Sequence, residues 1–82
     1  MKLKLNVYPV IPDMDEKLAE IIQKAVDNRA KIVEIAYGEA DESIKKRILN
    51  FLNRKDIRNL YSRLEKTDKG WGMIYVHFRW ED

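Results

Sequence analysis

Lys31-Ile32-Val33-Glu34-Ile35-Ala36 is a β-branched run with helical periodicity on either side. β-Branched side chains lose rotamer freedom in a helix and pack well on a pleated surface, so the run is predicted as a strand. Upstream, Leu18, Ile21, Ile22, Ala25 and Val26 recur at i, i+3, i+4, i+7 and i+8. That spacing makes one apolar stripe, on a helix from about Met14 to Asn28. Asp13 and Glu16 have the spacing of a capping box, Asp15 and Glu16 suit the positive end of the helix dipole, and Asn28 suits its C-terminal cap. Further back, Lys2 to Tyr8 alternates, with Leu3, Leu5 and Val7 on one face and Lys2, Lys4, Asn6 and Tyr8 on the other. Pro9 and Pro12 end that strand, because neither can donate to a ladder. Strand, helix, strand at this spacing predicts a right-handed parallel βαβ unit.

Downstream, Tyr37-Gly38-Glu39-Ala40-Asp41 reads as a turn, with Asp41 as N-cap of a second helix. Ile44, Ile48, Phe51 and Leu52 form its apolar stripe, with Lys45, Lys46, Arg47 and Arg54 around it. The end of the chain reads as a hairpin. Leu60, Ser62 and Leu64 alternate with Tyr61, Arg63 and Glu65, and Thr67-Asp68-Lys69-Gly70 has turn chemistry. Ile74, Val76, Phe78 and Trp80 then alternate with Met73, Tyr75, His77 and Arg79. Arg54 to Leu60 fits another helical turn as well as a strand start. The predicted fold is α+β: a two-layer sandwich of order β-α-β-α-β-β, with a four-stranded mixed sheet and both helices on one face. Residues 1–82 form a single domain.

Bulk properties narrow the function. A chain of 82 residues buries only roughly 60% of its unfolded surface, so one efficient core is all it can build. Charged residues make up 37% of it, which favours a well-solvated surface and a cytoplasmic protein. No apolar run approaches a membrane span, and no signal peptide is expected. With no cysteine and one histidine, His77, disulfides and thiolate metal sites are excluded, and no cofactor or metal is expected. A Ser–His–Asp arrangement would need His77 to meet Ser43 or Ser62. The net charge of +2 permits a nucleic-acid partner without demanding one.

Two surfaces could carry function. The open sheet face is predicted to hold Lys2, Lys4, Asn6 and Tyr8; Ile32, Glu34 and Ala36; Tyr61, Arg63 and Glu65; and Met73, Tyr75, His77 and Arg79. Rings interleaved with cations suit single-stranded nucleic acid, since bases stack on rings and cations meet phosphates. The same residues could simply pack along the pleat with Arg63 and Glu65 as cross-strand ion pairs, or form a homodimer interface. The other surface is the rim where the first two strands end, near Tyr8, Tyr37 and Gly38, where ligands of open α/β sheets gather. Glu39, Asp41 and Glu42 crowd that turn and oppose an anion, and as helix-capping acids they need no other role.

Element order and two segments resemble the Smr domain, the small MutS-related module. That family ends its first strand in Leu-Asp-x-His-Gly, where this chain has Leu5-Asn6-Val7-Tyr8-Pro9. Its His-Gly-x-Gly segment follows a second apolar strand, where this chain has Tyr37-Gly38-Glu39-Ala40. The resemblance implies a fold like the C-terminal domain of translation initiation factor three. It also implies DNA or RNA binding, a link to DNA mismatch repair, and endonuclease activity in some members. Both motif histidines align here with tyrosine, whose reference pKa of about 10 makes it a poor proton acceptor at neutral pH. Tyr8, Tyr37 and Gly38 are therefore carried over as nucleic-acid contacts, joined by Arg63, Tyr75, His77 and Arg79, with no catalytic residue. The alternatives are divalent-metal-dependent nicking on Glu39 and Asp41, and a protein-interaction or self-association module.

Overall fold

The computed structural model describes residues 2–7, 13–38, 42–67 and 72–80. The elements are β1 (Lys2–Asn6), α1 (Met14–Asp27), β2 (Ile32–Gly38), α2 (Glu42–Leu52), α3 (Lys55–Arg58), β3 (Arg63–Thr67) and β4 (Gly72–His77). The sheet order is β1-β2-β4-β3. β1 and β2 run parallel, and the other two pairings are antiparallel. The mixed α+β order is the expected one, with α3 added as a single turn after α2.

The two central strands set the layers. Val33, Ile35 and Tyr37 of β2 and Ile74 and Val76 of β4 are fully buried, whereas Ile32, Glu34, Ala36, Met73, Tyr75 and His77 are half-exposed. Strand alternation thus sends one parity to a core and the other to an open face. That core is one cluster in which α1 contributes Met14, Leu18, Ile22 and Ala25, and α2 contributes Ile44, Ile48, Phe51 and Leu52. Both helices therefore cover the same sheet face.

Local details depart from the expectations at three places. The Asp13 side chain makes no capping hydrogen bond, although its carbonyl accepts the Lys17 N–H at 3.0 Å. The third strand begins at Arg63, not Leu60. Leu60 belongs to the turn leaving α3, its N–H donating to the Ile57 carbonyl at 2.9 Å. Tyr61 is consequently not on the open face: its ring is buried, and its hydroxyl donates to the Leu52 carbonyl at 2.8 Å, closing the end of α2. Asp41, expected as the α2 N-cap, lies outside the described residues.

Candidate nucleic-acid interface

Strand register arranges the open face as three rows. Lys2, Ile32, His77 and Arg63 form one; Lys4, Glu34, Tyr75 and Glu65 the next; Asn6, Ala36, Met73 and Thr67 the third. Two carboxylates organise its charges. Glu34 pairs with Lys2 at 2.7 Å and Lys4 at 3.8 Å. Glu65 meets His77 Nε2 at 2.9 Å and Arg63 at 3.4 Å. The Arg63–Glu65 pair therefore lies along one strand, and the cross-strand contact is His77–Glu65. The hydrogen bond to Glu34, and then its charge, hold the Lys2 ammonium above the ordinary lysine pKa. Tyr75 stands between the two carboxylates, half-exposed.

The predicted contact residues divide into groups. Arg63, Tyr75 and His77 come together on adjacent strands of the open face. Arg79 lies beyond the end of β4 and is exposed. Tyr37 offers no exposed ring, which corrects the rim expectation: it shares the parity of Val33 and Ile35 and faces the core at 0% exposure. Its hydroxyl approaches the Thr67 carbonyl at 3.4 Å. Gly38 is buried, with φ of 76° beside a register shift between Ala36 and Gly38. Only glycine adopts that backbone region without strain. Tyr8, Glu39 and Asp41 lie outside the described residues, and so does any site they build. Among the described residues, no three His, Asp or Glu side chains gather closely enough to hold a metal ion, and no helix is long and apolar enough to cross a membrane.

At the opposite end of β2 from Gly38 lies a groove of about 500 Å³, lined by Arg29, Lys31, His77, Phe78, Arg79 and Trp80. The Phe78 and Trp80 rings stack at 5.7 Å with an interplanar angle of 4°. The Trp80 indole N–H donates to the Ala30 carbonyl at 2.8 Å. Sequence reasoning placed Trp80 on the core face and passed over Arg29 and Lys31. They meet because Ile32 pairs with His77 and the Phe78 N–H donates to the Lys31 carbonyl. The available signal was the clustering of cations and a tryptophan at the two ends of predicted neighbouring strands.

A parallel βαβ unit, a second helix on the same face and a closing antiparallel strand pair define a two-layer module with one sheet face that no described helix covers. Residues 11–79 match the Smr domain, so this chain belongs to the Smr-domain family. Smr domains are generally nucleic-acid-binding or endonuclease modules. The matched region starts after the Leu5 to Pro9 segment. Comparison with curated proteins and with solved structures gives no match.

Proposed function

We propose that this chain is a nucleic-acid-binding Smr domain that holds a single strand without cutting it. The carrying observation is family membership combined with a sheet whose uncovered face presents Lys2, Lys4, Arg63, His77 and Tyr75 beside a cationic, ring-bearing groove. Cations neutralise phosphates and rings accept stacked bases, each stacked base contributing roughly 1–3 kcal/mol. The non-catalytic part is supported by Tyr37. By the resemblance it takes the place of a motif histidine, its ring is buried, and a phenol takes no proton near neutral pH. DNA and RNA both satisfy this chemistry. Self-association gains no support from the surface: Leu60 is the one exposed large hydrophobic residue among those described.

Fluorescence anisotropy with labelled single-stranded oligonucleotides at low salt tests the binding. Affinity should fall with salt at a log–log slope of roughly −0.7 per phosphate neutralised. No binding at about 100 μM, the weak end of nonspecific affinities, ends the reading. Nicking of supercoiled plasmid in magnesium, abolished in Glu39→Gln with Asp41→Asn, would replace it with the metal-dependent nuclease.

A further inference from the structure

We propose that the groove formed by Arg29, Lys31, Arg79 and the Phe78–Trp80 ring pair is a phosphate-and-base subsite for single-stranded nucleic acid, separate from the motif rim. The inference rests on the nucleic-acid reading above and locates a binding point within it. Lys31 precedes β2 and Gly38 ends it. At about 3.3 Å per residue the groove therefore sits roughly 20 Å from the rim.

Charge distinguishes this groove from its neighbours. A groove of about 290 Å³ beside α2 includes Asp15, which pairs with Arg47 at 3.8 Å. Another, of about 190 Å³ along α1, includes Glu20, which pairs with Lys17 at 3.7 Å. Among the described residues no carboxylate lines the larger groove, and Arg29, Lys31 and Arg79 make no ion pair. Three cations around one concavity, with no carboxylate partner among the described residues, favour a polyanion.

The groove is also preorganised. Arg29 sits at φ 51°, where glycine is the usual occupant. It is held there by a paired helix-end turn, with the Ala30 N–H on the Ala25 carbonyl at 2.9 Å and the Arg29 N–H on the Val26 carbonyl at 3.3 Å. The Lys31 backbone is tied to Phe78 at 2.9 Å. Trp80 is fixed by its hydrogen bond to Ala30 and its stack on Phe78, yet stays half-exposed. A fixed, partly exposed indole among cations suits a base stacked beside its own phosphate. An acidic peptide would use the cations and leave the ring idle.

The test compares oligonucleotide anisotropy for the wild type, Arg29→Gly with Lys31→Gln, and the open-face variant Tyr75→Ala. The double variant should bind about tenfold more weakly across sequences, with a salt slope shallower by roughly 0.7 for each phosphate it no longer neutralises. Its melting midpoint should not fall, since glycine suits the Arg29 backbone. In a Trp71→Phe background Trp80 is the sole indole, and its emission should quench as oligonucleotide is added but not as an abasic strand of equal charge is added. Unchanged affinity and slope in the double variant, with weakening in Tyr75→Ala, overturns the groove and leaves the function standing. Polyglutamate binding in place of oligonucleotide overturns both in favour of a protein partner, as does absence of any wild-type binding.

Discussion

A Cβ built on Gly72 falls 2.4 Å from Tyr37 Cε2 and 2.5 Å from its Cζ. The tyrosine ring lies across the backbone of β4, and being fully buried it cannot swing clear. Gly72 is thus a glycine for space. Gly72→Ala should lower stability by about 1–3 kcal/mol through overpacking, read as a drop in urea midpoint with unchanged m-value. Tyr37→Leu should relieve part of that cost, so the double variant loses less than the sum of the singles. Additive losses would mean that the ring is not the constraint. The core orientation of Tyr37 was legible from the sequence: the parity that turns Ile32, Glu34 and Ala36 outward turns Tyr37 inward. The turn motif points to the rim, whereas strand alternation decides where a side chain points. Gly72 was not legible, because its constraint comes from a neighbouring strand.

At the scale of elements, apolar periodicity located both long helices because burying an amphipathic face is what stabilises them. Their ends were harder, since caps depend on a few hydrogen bonds and on the path of the neighbouring chain. Asn28 does finish α1 as expected, its side-chain amide donating to the Lys24 carbonyl at 2.9 Å, but the left-handed residue falls one position later, on Arg29. The end of α2 is closed from a distance by Tyr61, which explains why the alternation of Leu60 to Glu65 misled the strand boundary. Burial raises the Tyr61 phenol pKa, and the Arg58 guanidinium, 5.1 Å from the ring centre, opposes this more weakly. The folded state therefore holds this proton more tightly than the unfolded one. Its contribution is complete below the ordinary phenol pKa of about 10 and is lost as pH rises through the folded value. Tyr61→Phe should cost about 1 kcal/mol at neutral pH by leaving the Leu52 carbonyl unsatisfied, and it should flatten the alkaline loss of stability. The flattening is partial, because the raised Lys2 pKa acts with the same sign. An alkaline limb identical to the wild type's would remove Tyr61 from this role.

Across the whole molecule, the layer arrangement was readable because each strand's alternation and each helix's stripe specify the same buried face. The charge pattern of the uncovered face was only half readable. Alternation identifies its residues, but cross-strand register decides which charges neutralise which. His77, for instance, meets Glu65 twelve positions away. Glu34 and Glu65 restrain the cations that a bound strand would use, since Lys2 and Lys4 face the first, and Arg63 and His77 the second. All but Glu34 and His77 among these groups are well exposed, so each pair contributes little to stability. Glu34→Gln with Glu65→Gln should therefore keep the fold while raising oligonucleotide affinity at low salt. The salt slope should steepen by roughly 0.7 for each phosphate newly met. Because the gain comes from removing repulsion and freeing cations, it should vanish near 1 M salt, where the screening length is about 3 Å. An affinity and slope equal to the wild type's would place the bound strand off the sheet face and confine it to the groove beside Arg29 and Trp80.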